Sequence, residues 1–382
     1  MRNQVKVYDV DTHINPSADV LEPYLASIVR ELIPNLDEYK VTTAPMGYNT
    51  RTSFNFRKGF GAGMYGDIPR VLGEAAPREG AKPPRPKFMG RNFPSPGGDF
   101  GDAKARIHDM DEEGIDIQMM VPTIPGGAEN RAVDLEFIRA SHRFLDDFCN
   151  SYPQRFKSVL LADARFIEES VAEIKRWGRC RWAAGVWLDL PIDFPLDHPD
   201  LNPIWTAIEE EGLCVVHHSF ATGYPGYRDL WKNPFLGRTA NHPWSAMRTV
   251  AAFFGSGIMD RYPTIRLCIL ESGFGWLPFW AKRMDDQVIY LGSVAEDLQH
   301  TMSEYMTSGR FFAGIVLHEG EEMVKMVSDL LGDHILMFGS DYPHPECRFP
   351  DSVDITLSWK SLAPDRLKKL MWENAARCFG EP

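Results

Sequence analysis

The run YDVDTHINP, residues 8–16, places Asp9, Asp11 and His13 on alternate positions just after the apolar Val5 and Val7. In a strand, side chains two apart share a face, so Asp11 and His13 are expected to project together from the strand end, as a pair of metal ligands would. Asp9 lies in the same register and is expected to anchor the strand end instead. The plainer reading is a polar strand terminus entering a turn, with His13 capping a local group. One Asp-x-His pair does not decide between them.

Other apolar runs end in the same chemistry. His217 and His218 close GLCVVHHSF, Glu271 closes TIRLCILESG, His318 and Glu319 close GRFFAGIVLHEG, and Asp341 closes HILMFGSDYPHPE with His344 just beyond. Carboxylates and imidazoles recurring at this point of successive runs have no structural reason to be there. For Glu271 the competing role is a salt bridge to an arginine such as Arg283; for His344 it is a hydrogen bond within its own turn.

The elements that must position these groups follow from the same runs. Strands at 5–11 and in IDIQMMVPT, FKSVLLADA, AAGVWLDL and the four runs above make eight, separated by helical segments such as KARIHDMDEEG, ending near Gly114, and IEESVAEIKRWG, ending at Gly178. Alternation of this kind predicts parallel strands, and eight of them predict an α/β fold of the (β/α)8 barrel type, whose reactive groups sit at the strands' C-terminal ends. No GxGxxG turn follows the first strand, which removes support for a dinucleotide-binding open sheet.

Residues 15–103 interrupt the pattern, above all the Pro- and Gly-dense stretch 74–102. They read as an insertion within one domain spanning 1–382, and Phe54, Phe56, Phe60 and Tyr65 in it suggest a lid or an oligomer contact, with a flexible surface excursion the equal alternative. Association as a homo-oligomer, or as a hetero-oligomer with a paralogue, is expected. Trp276, Phe279, Trp280 and Met284 fall at near-helical spacing and predict a helix packed on the barrel, with Phe274 and Trp276 nearest the substrate.

Composition narrows the partners. The 382 residues are 44% hydrophobic and 25% charged, and the net charge of -12 argues against nucleic acid or an anionic membrane. No run is long enough to span a membrane and the first residues lack a signal-peptide core, so a cytoplasmic protein acting on a small molecule is expected. The six cysteines show no CxxC spacing; Cys214 and Cys268 read as small core residues.

Together DVDTH, VVHH, ESGFGWLPFWAKRMDD, GSDYPHPE and WENAARCFG resemble the amidohydrolase-related metal enzymes grouped with aminocarboxymuconate semialdehyde decarboxylase. The resemblance covers the first strand and nearly everything from 104 onward. It implies metal ligands at Asp11, His13, His218 and Asp341, with Asp11 standing where the family's first histidine would be. Only one of His217 and His218 can face the metal. Asp341, Glu271 and His242 are the implied catalytic groups, Glu271 occupying a position where many members carry histidine. Glu271, His318, His344 and His217 are candidates for substrate or a second metal.

Two imidazoles and two carboxylates suit Zn, Mn or Fe(II) and lack the thiolates of a structural zinc site. The expected activity is hydrolysis or non-oxidative decarboxylation of a small carboxylated or carbonyl compound. Rival readings are an oxygenase component with a dinuclear, iron-containing site, and a non-catalytic barrel subunit paired with an active paralogue.

Overall fold

The computed structural model describes residues 2, 4–43, 51–56, 101–123, 130–191, 194–218, 234–292 and 297–382. Its main sheet has eight parallel strands in the order β1-β4-β5-β6-β7-β8-β9-β10. These are β1 (Tyr8–Ile14), β4 (Ile117–Pro122), β5 (Phe156–Asp163), β6 (Ala183–Asp189), β7 (Cys214–His217), β8 (Arg266–Ile269), β9 (Phe311–Gly314) and β10 (Leu336–Met337). All eight expected strands are present, and the barrel they make is the expected one. β2 (Lys40–Thr43) and β3 (Arg51–Phe54) form a separate antiparallel pair between β1 and β4.

The sheet closes on itself just past β10. There the Val10 N–H donates to Phe338 O at 3.0 Å, the Asp341 N–H to Asp11 O at 2.8 Å and the His13 N–H to Tyr342 O at 2.7 Å. This seam ties the first strand to the chain carrying Asp341. Closure satisfies backbone groups that an open edge would leave exposed.

Every strand adds to the packed barrel interior, which runs from Tyr8 and Val10 through Ile117, Met119, Val159, Ala184, Val216, Leu270 and Phe312 to Met337. The C-terminal helix Asn374–Phe379 adds Ala375, Cys378 and Phe379 to the same cluster. Cys214 and Cys268 are buried here, as expected of core residues.

Helices form where periodicity and caps predict them. Helix Ala103–Glu113 begins at Asp102, whose side chain accepts from the Ala105 N–H, and stops at Gly114 with φ 88°. A Cβ at Gly114 would lie 2.8 Å from the Arg2 Cβ, so both the backbone angle and the close approach require glycine. Helix Leu277–Leu291 carries the aromatic run. Met284 is buried and Trp280 packs on the core, but Phe279 is 62% exposed and departs from the expected packing. Its neighbour Trp280 takes the inward position, donating its indole N–H to Met247 O at 2.9 Å.

At the end of β3, Phe54 packs against Phe137 of helix Arg131–Ser151, with ring centroids 5.4 Å apart. Phe56 lies 5.2 Å from the same ring. Phe60, Tyr65 and the stretch 74–100 lie outside the described residues. Among the described residues, no helix is long and apolar enough to cross a membrane.

Candidate metal centre

At the C-terminal end of the barrel the strand-end groups converge. His13 Nε2 lies 3.0 Å from Asp341 Oδ1, 3.7 Å from Asp11 Oδ1 and 3.7 Å from Glu271 Oε2. His218 Nε2 lies 3.0 Å from Glu271 Oε2 and 3.5 Å from Asp11 Oδ1. Two donors bound to one ion at about 2.1 Å can be no more than roughly 4.2 Å apart. These five spacings fall inside that limit, and they link two groups of convergent donors, His13, Glu271, Asp341 and His344 in one and Asp11, His13 and His218 in the other, through the shared His13.

The local backbone explains how they meet. The pairing of β1 with β4 shifts register between Asp9 and Thr12. Val10 therefore lines the barrel interior while Asp11 and His13, immediately after it, also turn to the barrel mouth. Asp9 does not share their orientation, as strict alternation would require. Its carboxylate accepts from the Ser340 N–H at 2.9 Å and the Ser340 Oγ at 2.6 Å, joining the first strand to the residue before Asp341.

Glu271 and Asp341 have φ of 46° and 61°, in the left-handed region that non-glycine residues seldom adopt. Strain of this kind is held only where surrounding structure enforces it and concentrates at functional sites. For Asp341 the enforcement is the seam with Asp11 and the turn in which the His344 N–H donates to Asp341 O at 2.8 Å. Glu319 accepts from the Phe274 and Gly275 N–H groups, bracing the loop that follows Glu271.

Burial and charge also favour a cation. Asp11 Oδ1, His13 Nε2 and Asp341 Oδ2 are buried and have no hydrogen-bond partner among the described residues. Three carboxylates, from Asp11, Glu271 and Asp341, share this space, and buried charge is tolerated only when paired or bound to metal. The donor set therefore fits a divalent cation held by oxygen and nitrogen.

Burial pushes the Asp341 carboxyl up, but His344 and His13 beside it prevail and hold it below the usual carboxylate range. Burial and Asp341 likewise raise Glu271, and His218 and His242 outweigh them, bringing it down to about 2. His13 is pushed down by burial and by His344. Burial also opposes charge on His218, but Glu271 and Asp11 raise it well above the ordinary imidazole value.

The family model described as amidohydrolase matches residues 9–380. The chain belongs to the amidohydrolase family. It is 24% identical over 253 residues to 2-amino-3-carboxymuconate-6-semialdehyde decarboxylase of Dictyostelium discoideum, covering 64% of this chain and 67% of that one. It is 20% identical over 303 residues to gamma-resorcylate decarboxylase of a Polaromonas strain, covering 74% and 87%. Among solved structures, 5-carboxyvanillate decarboxylase of Novosphingobium aromaticivorans, complexed with manganese and 4-hydroxy-3-methoxy-5-nitrobenzoic acid, superposes with a TM-score of 0.69 at 19% identity, covering 99% of this chain and 97% of that one.

In this amidohydrolase the remaining candidates separate clearly. His217 turns away from the centre: its Nδ1 meets the Thr249 hydroxyl at 2.9 Å and its Nε2 the Ser245 hydroxyl at 3.2 Å. Burial, with His218 and His242 nearby, lowers it to about 3. His242 stands at the rim, Nδ1 3.9 Å from Glu271 Oε1. His344 stacks on His13 with centroids 4.0 Å apart, and its Nδ1 is hydrogen-bonded to Asp341 Oδ1 at 2.7 Å. His318 is exposed on the turn Leu317–Glu319 and lies outside the convergent donor groups found among the described residues. Arg283 faces Asp286 at 3.7 Å on an exposed helix surface, so the expected competing partner of Glu271 is engaged elsewhere.

Sequence reasoning missed a supporting layer. Fully buried Arg106 donates to His13 O at 2.7 Å, to Thr12 Oγ1 at 2.9 Å and to Gln118 Oε1 at 2.7 Å. It pins the strand that carries Asp11 and His13. An arginine inside an amphipathic helix resembles any surface arginine in sequence, and only the groups it bonds reveal the role. Ser340, next to Asp341, was findable from its place in GSDYPHPE.

Proposed function

We propose that this amidohydrolase is a divalent-metal-dependent, non-oxidative decarboxylase of small carboxylated aromatic compounds. The observation that carries the reading is the convergence of Asp11, His13, His218, Glu271 and Asp341 on one buried focus at the barrel's functional end. Support for carbon–carbon cleavage comes from the curated relatives, both decarboxylases, and from the manganese in the structural neighbour. In this reading Asp11, His13, His218 and Asp341 hold the metal, with Glu271 beside them.

A cation bound there supplies Lewis-acid polarisation of the substrate's oxygen atoms. The protein supplies the proton. His344 Nδ1 and Asp341 Oδ1, 2.7 Å apart, hold one between them at the edge of the centre. Delivered to the ring carbon that bears the carboxylate, it forms the new C–H bond. The bond to the carboxyl carbon then breaks, its electron pair returns to the ring and carbon dioxide leaves. Solvent restores the proton through His344, which is partly exposed.

The test is to load the protein with manganese, count metal per chain and incubate it with 2,6-dihydroxybenzoate and 5-carboxyvanillate in deuterated water. Carbon dioxide release with one deuterium at the vacated carbon is expected. Hydrolysis of amide, ester or lactone substrates by the loaded protein, with no carbon dioxide from either acid, overturns the reading.

A further inference from the structure

Several tryptophans near the barrel satisfy their indole N–H groups. Trp177 donates to Glu173, Trp182 to Asp146, Trp276 to Ser272 O, Trp280 to Met247 O and Trp372 to Glu381. Trp187 differs. Its Nε1 is buried and has no hydrogen-bond partner among the described residues. A buried donor left without an acceptor is costly, and a native protein that keeps one usually has a use for it.

Its position gives the use. Trp187 lies on β6 opposite Leu161 of β5. It packs against both the barrel interior and the cluster of Leu135, Ile138, Leu161 and Phe166. Two residues earlier is Gly185, where a Cβ would lie 2.6 Å from Cys214 O; glycine lets β6 and β7 approach closely at this level. The Trp187 ring consequently meets His218 edge-on, with centroids 5.7 Å apart and planes at 62°. The indole is thus held rigidly against one of the metal-facing imidazoles, across the barrel mouth from the seam between β1 and Asp341.

We propose that Trp187 is a substrate-recognition residue: its indole N–H donates to an oxygen of the bound acid, a carboxylate or phenolate oxygen, while its ring forms one wall of the pocket. The inference rests on the proposed aromatic-acid reading, because an anionic oxygen beside the metal is the acceptor that reading supplies. An N–H held in place by packing costs little further ordering on binding, and its bond to a charged acceptor is stronger than to a neutral one.

The experiment is two-dimensional NMR of zinc-loaded protein carrying nitrogen-15 in its indoles. The Trp187 signal is assigned by its loss in Trp187→Phe, which keeps an aromatic ring and removes the donor. The probes are 2,6-dihydroxybenzoate, 4-hydroxy-3-methoxy-5-nitrobenzoate and the aliphatic succinate. Saturation with either aromatic acid is expected to move the Trp187 indole proton downfield. Trp187→Phe is expected to weaken binding of both by about ten-fold or more, with zinc content and melting temperature unchanged. If succinate moves the signal and neither aromatic acid does, the donor role stands and the aromatic reading falls. If no probe moves it, or if Trp187→Phe binds the aromatic acids within about two-fold of wild type, the proposal is overturned.

Discussion

The two ends of this barrel are built on opposite principles. At the N-terminal end the interior is apolar and sealed by Cys378 and Phe379 of the C-terminal helix. At the C-terminal end, within the same strands, it holds three carboxylates, two imidazoles and two residues with φ of 46° and 61°. One end follows packing rules and the other violates them. Such a division teaches where the fold's stability is kept: the sealed end carries the stability that lets the open end be strained and crowded with charge.

The largest expected effect tests that division at the open end. Asp11→Ala and His218→Ala should each drop bound metal below one per chain and lower decarboxylation at least ~1000-fold, since loss of the centre removes several kcal/mol of transition-state stabilisation. Asp11→Ala should not reduce the melting temperature of metal-free protein much, because Asp11 stands beside the carboxylates of Glu271 and Asp341, whereas His218→Ala should lower it, because it removes the imidazole that balances buried Glu271. A metal-free Asp11→Ala variant that unfolds would mean this carboxylate is structural and would erase the contrast. Elemental analysis and calorimetry on one preparation decide it.

Phe379→Ala attacks the sealed end. Truncating this buried ring beside Cys378 should cost about 3–5 kcal/mol of folding stability. The rate per folded, metal-loaded molecule should stay close to wild type. Urea unfolding together with active-site titration separates the two quantities; a rate that falls in proportion to stability would show that the ends are not independent.

Between the ends lies the hydrogen-bonded link from Asp9 to Ser340. Ser340→Ala removes the hydroxyl but not the backbone donor, so the seam persists with Asp341 less firmly set. Metal affinity is expected to fall roughly 10–100-fold, as when partners of ligand-bearing groups are lost. Competition with a chelator measures it, and unchanged affinity would confine Ser340 to the fold.

What was legible in the sequence follows the same line. Each barrel strand was readable because its apolar run is bounded by Gly, Pro or Asp, and buried parallel strands leave that mark. That Asp11, His13, one of His217 and His218, Glu271 and Asp341 would come together was readable because ligand types recur at run ends. The orientation of Asp9 was not, since the register shift in β1 breaks the alternation the argument assumed. Nor was the choice of His218 over His217, which depends on Ser245 and Thr249 waiting on a helix 28 and 32 residues away. Arg106 and Trp187 were missed for a related reason: their roles lie in what they touch, and contacts between distant segments leave no local pattern.

The smallest effect expected here lies near the sealed end, at Lys157. It is buried at the start of β5, with Nζ donating to Arg181 O at 3.0 Å. Burial lowers its pKa from 10.5 to about 8, helped by the charge of Arg181. The folded state therefore binds this proton more weakly than the unfolded chain does. Stability associated with the group is fully present above pH 10.5, declines as pH falls, and is lost once pH passes below about 8. Lys157→Met removes the penalty and one hydrogen bond, so it should stabilise the protein by about 1 kcal/mol at neutral pH. That gain should shrink between pH 8 and 10.5 and leave the rate of metal-loaded enzyme unchanged. Urea midpoints across that range check the sign. A variant that is instead less stable at pH 7 would show that the bond to Arg181 outweighs the buried charge, and that this end too depends on a polar contact.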